Sequence, residues 1–196
     1  MDIRQADAVR SVVERHKDVG TIAHLAAQVA VTLSVQNPRE DFECNALGTF
    51  NVLEAVRACN IRPTVIHSST NKVYGNLEDL KVVLRKGRYQ FRDLESGVPE
   101  STPLDFHSPY GCSKGTADQY VADYARIYDF RTINFRQSCI YGPRQFGVED
   151  QGWVAWFTIA AVLERPITIY GDGRQVRDVL YVDDLIDGFL AAVKKA

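Results

Sequence analysis

Nothing in this chain approaches the roughly 18 consecutive apolar residues that a membrane span needs. It also opens without an apolar signal core, since "MDIRQADAVR" mixes charged and apolar residues throughout. Cysteine is scarce. Cys44, Cys59, Cys112 and Cys139 are widely spaced, with no CxxC pair and no Cys/His cluster. Reduced structural thiols in a cytoplasmic protein are therefore expected, with no metal site and no disulfide framework. Neither sign of charge dominates: 23 Lys and Arg against 25 Asp and Glu leave a net charge of −2. That balance gives a main activity on nucleic acid or an anionic membrane no electrostatic support. Internal repeats and low-complexity tracts are absent as well. What is present is a 45% hydrophobic composition over 196 residues, enough for one domain with a substantial core, or one domain and part of another.

Apolar runs of strand length alternate with longer segments of helical period. "ADAVRSVVERH" (6–16), "DFECNALGTFNVLEAVRACN" (41–60) and "SPYGCSKGTADQYVADYARIYD" (108–129) read as helices, the last with Pro109 in its first turn, where a missing N–H costs least. "VGTIAHLAA" (19–27), "TVIHSS" (64–69) and "RTINFRQSCIYG" (131–142) read as strands. This alternation predicts an α/β fold with a parallel sheet covered by helices on both faces. In such sheets ligands bind beyond the carboxyl ends of the strands, so the polar residues after "TVIH" and "RTINFR" are where chemistry is expected. Two segments break the rhythm. Residues 76–104 read as a long charged excursion, functional or mobile. From Phe146 onward the pattern is a helix, a short strand, a Gly-Asp-Gly turn and a final helix.

Tyr110 and Lys114 stand at i and i+4 near the start of the third helix, so their side chains share a face. A nearby ammonium stabilises phenolate and is expected to lower the tyrosine pKa from about 10. A phenol so tuned can take a proton from an alcohol while hydride leaves the same carbon. A Tyr-x-x-x-Lys pair alone is equally a helix surface without chemistry. The stretch "HSSTNKVYG" (67–75) adds three hydroxyls at a strand end, any of which could hydrogen-bond the same substrate oxygen.

Taken in order, "HLAAQ" (24–28), N-x-x-G-T-x-N-V-L-E-A (45–55), "SSTNKVYG" (68–75), "SPYGCSK" (108–114), "FRQSCIYGPRQ" (135–145) and "RDVLYVDDL" (177–185) resemble successive landmarks of a known family, along essentially the whole chain. That family is the extended short-chain dehydrogenases/reductases, which hold the NAD-dependent nucleotide-sugar epimerases and dehydratases. The resemblance implies a Rossmann-like doubly wound parallel sheet. It assigns residues 1–144 to a partial NAD-binding domain and 145–196 to part of a small substrate-binding region that returns to it. By the same resemblance Tyr110 is the acid/base, Lys114 holds the nicotinamide ribose and lowers the tyrosine pKa, and Thr70 bridges substrate and tyrosine.

Further roles carried by the resemblance reach the rest of the site. Asp2 and Ile3 match the turn flanking the adenine. Ala26, Ala27 and Gln28 match the strand end beside the pyrophosphate and ribose. Ser68 and Ser69 line the nicotinamide, and the main chain from about Arg136 to Ser138 contacts it. Asn71 lies on the substrate side, and Arg177 matches the arginine that grips the substrate diphosphate, a task suited to its planar fork of donors. Several have plainer readings: Asp2 as a helix-start acid, Ser68 and Ser69 as strand-end caps, Arg177 and Asp178 as a surface ion pair. His24 and His67 read as core histidines, and Trp153 and Trp156 as packing residues.

Within the family, the long excursion and the "DQGW" block resemble the subgroup that epimerises CDP-linked 3,6-dideoxyhexoses at C2, the CDP-tyvelose epimerases. Asn71 and Lys72 stand where a dehydratase has acidic residues, which disfavours dehydration. The family's G-x-x-G-x-x-G turn, whose glycines let the backbone approach the pyrophosphate, does not occur in these 196 residues. The expectation is a truncated chain whose part of the fold lacks the first strands and which does not bind NAD in the family manner by itself. The readings left open are a 2-epimerase of a nucleotide sugar, a 4-epimerase, and a non-catalytic remnant that serves in folding or assembly. Helices 41–60 and 108–129 match the family's dimer interface, so a homodimer is expected.

Overall fold

The computed structural model describes residues 1–94 and 96–195. Its elements follow the expected alternation: α1 Ala6–Arg15, β1 Thr21–His24, α2 Val31–Gln36, α3 Pro38–Phe42, a π-helical stretch Glu43–Leu47, α4 Gly48–Ala58 and β2 Thr64–Thr70. A 3-10 turn, Asn71–Tyr74, leads to β3 Val82–Arg85 and β4 Arg88–Phe91. Then come α5 Ser108–Tyr128, β5 Arg131–Gln137, β6 Cys139–Tyr141, α6 Trp153–Val162, β7 Val179–Tyr181 and α7 Val182–Lys195.

Strands β1, β2 and β5 form a parallel sheet in that order, with Thr64–Thr70 running in register beside Arg131–Gln137. Alternation along the strands decides which face each residue serves. Val65 joins Leu53 and Val56 of α4, Val121 and Tyr124 of α5, and Phe130 in one buried cluster. Those helical residues lie three apart on each helix, part of the stripe a helix needs to bury one face. Val9 and Val13 of α1 close on Val52 and Ala55 of α4 in a second cluster. Full burial of each such side chain stabilises the fold by about 1.5–3 kcal/mol. On the opposite face Phe135 meets Phe189 of α7 at 4.7 Å between ring centres.

Three expectations need correction, and one element was not foreseen. The helix over 41–60 begins earlier, at Pro38, with the Asn37 side chain accepting from the Glu40 N–H, and it widens into a π turn over Glu43–Leu47. The short helix α2 went unread because its six residues are too few for a periodic signal. The excursion over 76–104 contains an antiparallel hairpin, Val82 opposite Phe91 and Arg85 opposite Arg88. Its turn residues Lys86 and Gly87 both have positive φ, 52° and 78°, the conformation of a two-residue type I′ hairpin turn. In the C-terminal part the strand follows the Gly-Asp-Gly turn, at Val179–Tyr181 beside β6, instead of preceding it.

Gly75 starts the excursion with φ 67° and ψ −146°, a region essentially closed to other residues. A Cβ there would also run into the Asp105 carbonyl oxygen, where the excursion returns. Gly75→Ala is expected to cost at least about 1–3 kcal/mol, read as a lower urea midpoint with unchanged m-value.

Candidate active site

One stripe of α5 builds the site. Tyr110, Lys114 and Asp118 follow at four-residue intervals, so all three face the sheet. The Thr70 hydroxyl hydrogen-bonds the Tyr110 phenol. Lys114 Nζ donates to the Ser68 carbonyl at 2.5 Å. Asp118, with no exposed surface, accepts from Ser69 Oγ at 2.7 Å and from Arg136 Nε and its terminal nitrogen at 3.0 and 2.8 Å. Its own carbonyl takes the Asn134 side chain at 2.9 Å. Thr70, Tyr110 and Lys114 therefore come together at the carboxyl end of β2.

A second buried cluster ties this stripe to the helices before it. The Ser113 hydroxyl, between Tyr110 and Lys114, donates to Asp41 at 2.5 Å. Asn45 donates to Asp41 at 3.1 Å and to Ser113 at 3.0 Å, while its side-chain oxygen accepts the Gln28 N–H at 2.9 Å. The π turn carries Asn45 into this junction, and π turns are over-represented at functional sites. The Ser34 hydroxyl accepts the Tyr110 N–H at 3.1 Å, satisfying a backbone donor of the helix start.

The electrostatics correct one expectation. Burial pushes the Tyr110 phenol above its ordinary value; the Thr70 hydrogen bond opposes this and the Asp41 carboxylate adds to it. Lys114 does not lower the phenol here. Burial instead brings the lysine itself down to about 8, with Asp118 and Asp41 holding it up. Burial also raises the Asp118 carboxyl, but the Arg136 and Ser69 hydrogen bonds outweigh it and leave its pKa lowered. Behind Lys114 sit two stacked imidazoles, His24 and His67, 5.7 Å apart. Burial, helped by the Lys114 charge, takes them down to about 4 and about 3.

The remaining expected residues fall into three groups. Asp2, Ile3, Ala26 and Ala27 come together around a shallow cavity of about 320 Å³, with Arg4, Glu40 and Cys44 on its rim. Asp2 is held by Arg4 at 2.7 Å, and its carboxyl falls to about 2 through those hydrogen bonds. Gln28 beside them keeps its side-chain carbonyl oxygen buried without a hydrogen-bond partner among the described residues. The Ser69 hydroxyl and the Arg136 guanidinium spend their hydrogen bonds on Asp118, and Arg136 also reaches Tyr74 Oη at 3.0 Å. Ser69 and Arg136 also pair with each other in the ladder, so the Arg136 main chain is part of the sheet. Ser68 gives its hydroxyl to the Gln137 side chain at 3.1 Å.

On the substrate side Asn71 Nδ2 reaches Ser138 Oγ at 3.4 Å, and Ser138 donates to the Asp178 carbonyl at 2.8 Å. Arg177 is thereby carried close to the strand ends, its guanidinium exposed and bonded to the Val176 carbonyl. Asp41, Asn45, Ser113 and Asp118 were absent from the expected site. Asp118 was signalled by its spacing from Lys114 and Asn45 by its place in the N-x-x-G-T landmark. Asp41 and Ser113, 72 residues apart, carried no joint signal.

The profile of the family described as "NAD dependent epimerase/dehydratase" matches residues 1–196. The chain belongs to this family. A CDP-paratose 2-epimerase of Salmonella typhi is 50% identical over 98% of this chain and 58% of that protein. Two solved structures lie at TM-score 0.81 and 30% identity: a UDP-glucose 4-epimerase of Thermus thermophilus in complex with NAD, and one of Thermotoga maritima with UDP-glucose. Each matches 98% of this chain, and the chain covers 58% and 57% of them. The chain thus spans a little over half the length of these family members. Among its described residues no helix is long and apolar enough to cross a membrane, and no cluster could hold a metal ion.

Two outcomes follow from the buried charges. Arg136→Ala strands the Asp118 carboxylate in the interior and is expected to cost about 3–5 kcal/mol in urea unfolding. Folded His24 and His67 take up protons only near pH 4 and 3, an unfolded histidine near 6.5. The unfolded chain therefore binds more protons in that interval, and stability falls as pH drops from 6.5 towards 3. Asp41, whose carboxyl burial raises, works the other way over the carboxylate range. His67→Asn is expected to flatten the fall in the urea midpoint between pH 6.5 and 4.

Proposed function

We propose that this chain carries the acid/base half of an NAD-dependent nucleotide-sugar epimerase acting at C2 of a CDP-linked 3,6-dideoxyhexose. The observation that carries the reading is the meeting of Thr70, Tyr110 and Lys114 at the end of β2, in a chain 50% identical to a CDP-paratose 2-epimerase.

The residues around the cavity fit one wall of a dinucleotide site. Ala26 and Ala27 leave room for close approach, and the unpartnered Gln28 carbonyl oxygen offers an acceptor to a ribose hydroxyl. Asp2 and Ile3 would flank the adenine, Ser68 would line the nicotinamide, and Lys114 Nζ, with two hydrogens beyond the one given to Ser68, would hold the neighbouring ribose. NAD supplies the hydride acceptor and donor of this reaction class.

The chain's own residues handle the proton. Thr70 and Tyr110, already hydrogen-bonded to each other, both address the sugar hydroxyl. Tyr110 removes its proton as the carbon is oxidised. The planar keto sugar then presents its other face, and Tyr110 returns the proton once the carbon is reduced from that side, with no net redox. A Lys114 ammonium kept charged by Asp41 and Asp118 makes phenolate accessible when it turns from the Ser68 carbonyl towards the bound ligands. Asn71 and Arg177 would take the substrate, Arg177 at its diphosphate.

For the expected dimer, α4 and α5 offer an exposed apolar surface. Tyr120, stacked edge-on against Phe50, is 44% exposed, and Ile127 on the same helix is 66% exposed. We place the homodimer contact on residues 41–60 and 108–129.

Tyr110→Phe removes the proton carrier and is expected to lower kcat on CDP-paratose by about 10²–10⁴ with KM little changed. Equal turnover of UDP-glucose and CDP-paratose by the unmodified protein would defeat the C2 assignment. Sedimentation at micromolar concentration is expected to give twice the monomer mass, and Tyr120→Glu to shift it towards the monomer.

A further inference from the structure

The excursion over 76–104 leaves the chain at the site and comes back to it. It departs at Gly75, directly after the turn that carries Asn71 and Tyr74, and returns at Asp105, whose N–H binds the Val73 carbonyl at 3.0 Å. Arg136 reaches the Glu100 carbonyl at 3.4 Å, so the same guanidinium that holds Asp118 also touches the returning limb. Between these anchors stands the β3–β4 hairpin.

The hairpin's outer edge is fastened to the C-terminal segment. The Tyr89 N–H donates to the Arg174 carbonyl at 3.2 Å, and the Tyr89 hydroxyl to Asp172 at 2.8 Å. Arg174 lies three residues before Arg177, and Asp178 after it is tied through Ser138 to Asn71. The hairpin therefore borders the segment that joins Arg177 to the site.

Charge on the hairpin is one-sided. Residues 81–92 hold Lys81, Arg85, Lys86, Arg88 and Arg92 and no carboxylate, in a chain whose net charge is −2. Arg92 is paired with Asp93 at 2.7 Å. Arg85 and Arg88 stand directly opposite each other beside the turn, with Lys86 within it, and none of these three forms an ion pair among the described residues. Like charges directly opposite on paired strands destabilise the pairing. Asp172, beside β4, is already taken by the Tyr89 hydroxyl and the Arg174 N–H. Asp93 adds an attraction to Arg85 from beyond ion-pair distance; a like-charge cluster the fold neutralises only in part suits an anion brought from outside, and guanidinium forks match phosphate oxygens.

We propose that Arg85, Lys86 and Arg88 form an anion-binding tip for the diphosphate of the nucleotide sugar, working beside Arg177. The proposal rests on the nucleotide-sugar reading of the site. The hairpin thereby ties substrate choice to the excursion: it lends the tip charges to ligands with a diphosphate and little to free nucleosides or sugars. Exposed charges of this kind act mainly through long-range attraction, so the effect weakens as salt rises.

The test compares the unmodified protein with the triple variant Arg85→Gln, Lys86→Asn, Arg88→Gln, in which asparagine suits the type I′ turn. Calorimetric titration with CDP and with cytidine, at low and high salt, is read beside kcat and KM for the CDP-sugar and the urea midpoint. The expected result is a Kd for CDP raised about tenfold at low salt, equivalent to about 1.4 kcal/mol, with a smaller ratio at high salt. Cytidine affinity stays constant, KM rises and kcat is kept. Arg88→Gln alone gives a smaller shift in the same direction, which keeps the test alive if the triple variant unfolds. Unchanged CDP affinity in a folded variant overturns the proposal, as does an equal loss for cytidine, or an unmodified protein that binds no CDP. Loss of binding to anionic lipid vesicles with CDP affinity intact also overturns it and marks the tip as a membrane-facing surface. An unmodified protein that binds CDP through the tip but epimerises no nucleotide sugar sinks the functional reading and leaves the anion site standing.

Discussion

A carboxylate with no solvent exposure organises this site. Burying Asp118 would be prohibitive if it stood alone, because an unpaired charge in the interior loses its hydration without return. Arg136 meets it with two hydrogen bonds, Ser69 with a third, and the Asn134 side chain holds the adjacent carbonyl. These partners come from β2 and β5, so the bond set clamps α5 to both strands at once. Because Tyr110 and Lys114 share the stripe with Asp118, the clamp also settles where the phenol and the ammonium lie relative to Thr70. Arg136 extends the same constraint to Tyr74 and to Glu100 in the excursion.

The polar interior around that clamp is dense and nearly satisfied. Asp41, Asn45 and Ser113 close a hydrogen-bonded junction between the π turn and α5, and Asn45 passes it on to the peptide of Gln28. Such networks confer specificity of geometry at a cost in desolvation. Here the cost is visible in the ionisable groups: the lysine is pushed down, the phenol up, and both histidines stay neutral at physiological pH. His67 Nε2 and the Gln28 carbonyl oxygen, without hydrogen-bond partners among the described residues, lie in or beside this polar zone. The phenol in this arrangement is therefore not acidic in advance.

The excursion changes meaning once its two anchors are seen. As a sequence it is a charged tract with glycine and prolines. In three dimensions it is a strap with a hairpin at its crest, tied at the base to the 3-10 turn and at the crest to the segment before Arg177. Its β-structure was hidden because each strand has four residues and its turn uses Lys-Gly, a weaker signal than Asn-Gly or Asp-Gly for the same backbone.

Local patterns were enough for the helices α1 and α5, the parallel strands, and the i, i+4 pairing of Tyr110 with Lys114, since each is a statement about spacing along one element. The family landmarks were equally legible, and the profile match over the whole chain agrees with them. Pairings between residues far apart were not: Asp41 with Ser113, Ser69 and Arg136 with Asp118, and Tyr89 with Asp172 depend on how elements cross. The direction of the Tyr110 shift belonged to the same class. Sequence places a cation one turn away and so argues for a lowered pKa, but only packing decides whether that cation faces the phenol or a carbonyl, and how much water is left around both. Proximity along the helix was a property of the chain; desolvation and orientation were properties of the fold.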